Sequence, residues 1–232
     1  MGNTARVLGG LSVLAAPLAI GIGDQFRMAA ENNNDVAVTA GDDLLAETTR
    51  QLASIDAHLG LFQTAAWFFY AAALLTIPAL ITIWRLSVAG SRKWAWAGAT
   101  MAAIGVIGQT VHLTGYFALM QESSQSLDLE SAAKLQIALD QNVFLGALFF
   151  VPFLLCALGC TLPQAIGLRR AGVIPMWACL ALVAATLVMF VVGSVPWTSA
   201  LWTVLMVAGF APAALAAMRT PQPVRDEVLV TV

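Results

Sequence analysis

Charge is scarce in this chain. Lysine and arginine number 11 and aspartate and glutamate 13 in 232 residues, for a net charge of -2. No basic cluster interleaved with aromatics occurs, so the electrostatic footprint of a nucleic-acid-binding protein is missing. Histidine is rarer still, with two residues, His58 and His112. Bis-histidine haem ligation needs two imidazoles at one depth. His58 lies at the edge of an apolar run and His112 about seven residues inside another, a mismatch of roughly 10 Å at the helical rise. His112, Asp24 and Asp140 show no diagnostic metal spacing, and neither metal nor cofactor is expected. The three cysteines, Cys156, Cys160 and Cys179, all fall inside apolar runs. They read as small, soft packing residues, and no extracellular disulfide is expected. A second intramembrane aspartate is also lacking. "GIGD" at 21 to 24 and "PAL" at 78 to 80 therefore do not assemble the proton-sharing carboxylate pair of an intramembrane aspartyl protease.

What the chain has is apolar length. Hydrophobic residues make up 59% and the mean hydropathy is +0.82. Six uncharged runs approach or exceed what about 30 Å of hydrocarbon requires: 7 to 23, 61 to 84, 94 to 119, 142 to 168, 173 to 194 and 198 to 218. The expected fold is all-α: one polytopic transmembrane bundle over residues 1 to 220, with a cytoplasmic tail at 221 to 232. "SVPW" at 194 to 197 separates the last two spans and predicts a tight hairpin at the water interface. Asp24 and Arg27 stand where a signal-peptide cleavage region is small and neutral, so the first span is expected to remain as a helix.

Orientation follows from the basic residues. With the N-terminus inside, Arg6, Arg85, Arg92, Lys93, Arg169, Arg170, Arg219 and Arg225 are inside, against Arg27, Arg50 and Lys134 outside. The positive-inside rule then places both termini in the cytoplasm. Eleven of the thirteen acidic residues fall in the outer segments, 24 to 60 and 120 to 141. An acidic outer face favours cations, although acidic residues also simply solvate loops. Within these segments Leu44, Leu45, Leu52, Ile55 and Leu59 recur at helical spacing, with Asp42 or Asp43 as a cap, and Leu127, Leu129, Leu135, Ile137 and Leu139 do the same. Two amphipathic helices are expected, either capping the outer mouth or resting on headgroups.

The third span carries Gly105, Gly108, Gln109, His112 and Tyr116 at i, i+3, i+4, i+7 and i+11, a single helical face. A lipid-facing glutamine or histidine costs a few kcal/mol, so this face should point inward. Asp56, Gln63, Trp67 and Tyr70 form a similar stripe on the second span, and Asp24 and Asp140 stand at the outer rim. The expectation is a polar cavity opening outward above an apolar floor. Gln63, Trp67, Tyr70, Gln109, His112, Tyr116 and Asp140 are its ligand-binding candidates, and His112, Asp140 and Asp24 its candidates for acid-base work. The plainer alternative is that Gln109 and His112 hydrogen-bond neighbouring helices and that Asp140 caps one.

"TARVLGGLSVLAAPLAI" at the start, a long outer loop, a span ending "ITIWRL" and "LRRAGVIPMWACLALVAA" before the fifth span together resemble the DUF4386-like family of bacterial six-helix membrane proteins. The resemblance implies that topology in a bacterial plasma membrane, and no activity. Three functions remain open. One is binding of a small lipophilic or cationic molecule. Another is an accessory role in a larger membrane complex, with Gly98, Ala102, Gly105 and Gly108 allowing close helix approach. The third is an intramembrane acid-base enzyme acting on an isoprenoid or other lipid. Repeated halves and midplane breaks other than Pro78 are lacking, so an ion-coupled transporter is not expected.

Overall fold

A computed structural model describes residues 3–32, 44–126, 128–145 and 156–219, and these contain helices and turns with no strand. In chain order the helices are α1 (Asn3–Glu31), α2 (Leu44–Ala57), α3 (Leu59–Val88), α4 (Arg92–Ser126), α5 (Leu129–Asp140), the single turn α6 (Val143–Leu145), α7 (Thr161–Arg170), α8 (Met176–Val192) and α9 (Pro196–Arg219). Among the described residues four helices, α1, α3, α4 and α9, are long and apolar enough to cross a membrane. The fifth apolar helix, α8, has 17 residues. The fourth predicted span is described only at its ends, as α6 and, after a π-helical turn at 156–158, as α7. Its middle, 146–155, lies outside the described residues, as do the predicted tail and the caps Asp42 and Asp43.

The helices close a ring. α1 packs along α3 and α9; α3 packs on α4, α4 on α7, α7 on α8 and α8 on α9. Close packing is the main attraction between helices in lipid, where no hydrophobic drive separates them from solvent. α1 achieves it by omitting side chains at the contacts. A Cβ on Gly10 would stand 2.9 Å from the Ala214 carbonyl oxygen of α9, and one on Gly23 3.2 Å from the Ala65 carbonyl oxygen of α3. Hydroxyls facing apolar surroundings bond back to their own helix, as Thr82 Oγ1 does to the Pro78 carbonyl at 2.8 Å and Thr76 Oγ1 to the Ala72 carbonyl at 2.8 Å.

The predicted hairpin is present. α8 ends at Gly193, whose φ of 82° is open to glycine, and α9 begins at Pro196 in the first-turn position that tolerates a missing N–H. Thr198 ties the turn, accepting from the Val195 N–H at 2.9 Å and donating to the Gly193 carbonyl at 2.7 Å. At the opposite end of the bundle the α3–α4 turn lies on the α7–α8 turn, since a Cβ on Gly90 would fall 2.2 Å from the backbone of Ala171. This contact gathers Arg85, Arg92, Lys93, Arg169 and Arg170 in one region.

The two amphipathic helices also form, and they pack on each other as well as on the bundle. α2 buries Leu52 and Ile55 completely, and Ser54 Oγ donates to the Ala30 carbonyl at 2.6 Å, tying α2 to the end of α1. α5 differs from expectation. It buries Ala132, Ala133 and Gln136, while Leu135 of the predicted apolar row is 43% exposed. Alanine lets the α5 backbone lie close on α2, and leucine at the same positions would hold the helices apart. Asp128 caps α5 by accepting from the Ser131 N–H at 2.9 Å.

Candidate functional site: a cavity inside the helical ring

α1 does not stop at residue 23. It continues to Glu31 and so places Asp24, Arg27 and Glu31 at i, i+3 and i+7, on one face of the helix. Their side chains are 10%, 19% and 4% exposed. The Arg27 guanidinium bridges the carboxylates, donating to Asp24 Oδ1 from Nε at 2.9 Å and from Nη2 at 2.7 Å, and to Glu31 Oε2 from Nη1 at 2.5 Å. Partners on other helices complete the set. Ser194, in the α8–α9 turn, donates from Oγ to Asp24 Oδ2 at 2.7 Å, and the Tyr116 hydroxyl of α4 donates to Glu31 Oε1. Gln25 Nε2 reaches the Pro196 carbonyl at 2.9 Å. These bonds are why a helix can continue through charged residues at this depth: each buried carboxylate has the Arg27 cation and a neutral hydroxyl donor.

Beneath this cluster a partly open cavity of about 560 Å³ lies among the helices, within the range of small-molecule sites. Apolar side chains dominate its lining, including Val13, Ile20, Phe69, Trp202, Met206 and Phe210. Asp24, Arg27, Tyr116 and Ser194 form its polar end. Gln109, 5% exposed, stands on the wall, and Thr161 and Gln164 line the lumen farther along α7. The expected apolar floor therefore carries a carboxamide, from a segment whose alanines, leucines and cysteines concealed it.

The sequence candidates divide into three groups. Asp24, Gln109 and Tyr116 come together around the cavity, with Gly105 on the same α4 face. Gln63, Trp67 and Tyr70 do not join them. Trp67 is 75% and Tyr70 50% exposed, their rings 6.4 Å apart on the outer surface of α3. Gln63 is exposed as well, with its Nε2 3.5 Å from Gln121 Oε1. Tyr70 borders only a shallow apolar groove between α3 and α4, of about 110 Å³. The backbones of His112 and Asp140 belong to α4 and α5, but their side chains lie outside the described residues. His58, placed at the edge of the second span, bonds through Nδ1 to the Ser54 carbonyl at 3.0 Å.

Sequence reasoning missed Arg27, Glu31, Ser194 and Gln164. For the first two the signal was the i, i+3, i+7 spacing from Asp24, hidden by ending the first span at the last apolar residue. Ser194 and Gln164 carry no local signal, because only the closed ring brings them to the cavity. Among the described residues no group of three or more metal-ligating side chains occurs, and the three cysteines are free thiols. Gly98 and Gly105, considered above as an external packing stripe, are used within the chain: a Cβ on Gly98 would meet Gln164 Cγ at 2.9 Å and one on Gly105 the Ala157 backbone at 2.6 Å. No protein-family model, no curated protein and no solved structure matches the chain.

Proposed function

We propose that this chain is a six-span membrane protein, with both termini in the cytoplasm, that binds a small lipophilic or cationic molecule in the cavity of its helical ring. The observation that carries the reading is the cavity itself: about 560 Å³, apolar along its walls and polar at the end where α1 and the α8–α9 turn meet. A bundle selected only for packing would fill such a volume, since each unfilled methylene-sized void costs about 1 kcal/mol. The topology rests on the clustering of basic turns and on exposed tryptophans near helix ends, Trp96, Trp177 and Trp197, in the pattern of an interfacial belt. The bacterial plasma membrane follows from the resemblance to the six-helix group described above.

An accessory role in a larger complex is less favoured, because Gly98 and Gly105 of α4 are occupied by contacts within the chain. An acid-base enzyme acting on a lipid would use the same cavity. Asp24, however, has Oδ1 held by Arg27 and Oδ2 by Ser194, so both of its oxygens are already engaged within the chain. The test is extraction of the purified full chain with organic solvent and mass spectrometry of the extract, compared with Ala16→Leu and Met206→Trp, which fill the cavity. A near-stoichiometric small lipophile in the unmodified protein, diminished in the filled variants, is the expected result. Extracts without such a species, or unchanged by filling, refute the reading.

A further inference from the structure

Resting on that reading of the cavity, we infer that its ligand is an uncharged lipophile bearing a carbonyl or hydroxyl group, and that Gln109 is the residue that recognises it. The inference begins from which polar groups around the cavity are already engaged. Arg27 and Ser194 each bond an Asp24 oxygen, Arg27 and Tyr116 each bond a Glu31 oxygen, and Thr76 bonds its own helix. The charged end of the cavity is thus internally neutralised except for one net negative charge, and each carboxylate oxygen already accepts a hydrogen bond. A cationic ligand would share carboxylates that Arg27 already pairs, so its gain from them is reduced.

Two carboxamides differ, and beside them the Ser199 hydroxyl, also on the lining and 2% exposed, lacks a side-chain bond among the described residues. Gln109 is 5% and Gln164 7% exposed, both line the cavity, and among the described residues neither carboxamide has a hydrogen-bond partner. A carboxamide offers two N–H donors and an acceptor oxygen, and on the cavity lining these are open to whatever occupies the lumen. Nine-tenths burial withdraws it from bulk solvent and its position directs it into the lumen, so a molecule in the lumen is the natural partner. An uncharged amide able to donate and accept matches a carbonyl or hydroxyl; it offers no counter-charge to an ammonium or a phosphate. The two amides are also far apart. Gln164 packs on Gly98, eleven residues before Gln109 on α4, which corresponds to roughly 16 Å along the helix. A compact polar solute cannot span that distance through an apolar lumen, whereas an elongated lipophile with a polar head on Gln109 can lie along it.

The experiment uses three probes that share one tail: farnesol, farnesylamine and farnesene. Thermal unfolding of the detergent-purified full chain is followed against probe concentration, and the cavity-filled Met206→Trp variant controls for effects on the micelle. Farnesol is expected to stabilise the protein saturably, and farnesylamine and farnesene to do so at least tenfold less potently. Gln109→Leu, or the closer Gln109→Met if leucine prevents folding, is expected to weaken farnesol about fivefold, as one lost neutral hydrogen bond does. Tightest binding of the amine overturns the inference in favour of recognition by the carboxylates. Equal binding of all three overturns any role for a polar head, and binding of none overturns the uncharged-lipophile assignment. The reading of a ligand cavity is decided separately, by the extraction described above, so the two failures are distinguishable.

Discussion

Arg27→Met removes the one cation of the α1 cluster and leaves two carboxylates facing each other across the space it filled. The side chains of Asp24 and Glu31 are 10% and 4% exposed, and Arg27 supplies two of the hydrogen bonds to the first and one to the second. Breaking a buried ion pair by deleting one partner typically costs 3–5 kcal/mol, because the remaining charge is uncompensated. Arg27 is itself 19% exposed, and Ser194 and Tyr116 remain as donors, so the lower end applies, about 3 kcal/mol. For a chain of this size that corresponds to a fall in Tm of roughly 6–12 °C, measurable by thermal unfolding in detergent with size-exclusion detection of the folded fraction. The same reasoning makes a sharper demand on the triple variant Asp24→Asn, Arg27→Met, Glu31→Gln. With both surplus charges removed, it should recover to within about 1 kcal/mol of the unmodified protein. A single variant that loses less than about 1 kcal/mol, or a triple variant less stable than the single, would refute the assignment of this cluster as a compensated buried network.

Gly105→Ala should destabilise the protein by about 1–3 kcal/mol, because the new Cβ falls 2.6 Å from the Ala157 backbone, which has no flexible end to give. Gly115→Ala, on the same helix with nothing within 4 Å, should be neutral or stabilising by up to about 1 kcal/mol, and equal responses of the two in a thermal melt would count against the α4–α7 contact. At the α5 N-terminus, hydrogen bonds from Ser131 hold the Asp128 carboxyl below its ordinary range. Its contribution is therefore present above the unfolded value near 3.8 and is lost as pH falls through the lowered folded one. Amide protection in α5, taken relative to the intrinsic exchange rate at each pH, should fall only below about pH 4 in the unmodified protein, and at neutral pH in Asp128→Ala; protection insensitive to both would show that the cap contributes nothing. For topology, a membrane-impermeant maleimide should label Gln125→Cys in intact cells and Lys93→Cys only after permeabilisation, in a background lacking the three native cysteines. The reverse pattern would invert the orientation.

The face of α4 was legible because all its information is local. Gly105, Gln109 and Tyr116 share a helical phase, lipid rejects an uncompensated amide, and these residues do line the cavity. The stripe of Gln63, Trp67 and Tyr70 has an equally good helical phase, yet it faces outward. Aromatic and amphipathic side chains are as stable at a membrane interface as in a protein interior, so their periodicity sets which residues share a face and leaves open where that face points. α5 illustrates the same ambiguity. Its leucines defined a plausible apolar row, but close approach to α2 selected the alanine face instead.

Composition and period alone determined that this chain is helical, that it belongs in a membrane, that its basic residues collect on the turns of one side, and that α4 carries a polar inward face. These are properties of hydropathy and of the 3.6-residue repeat, which act over one or two turns. Tertiary structure alone decided that α1 runs on to Glu31, that Ser194 and Tyr116 complete its ion network, that Gln164 stands in the lumen, and that the ring surrounds a cavity of about 560 Å³. The reason is that partners 85 and 170 residues apart in sequence, such as Glu31 with Tyr116 or Asp24 with Ser194, leave no periodic trace. A charge in lipid is tolerable only with its partner in place, and the partner is supplied by the fold.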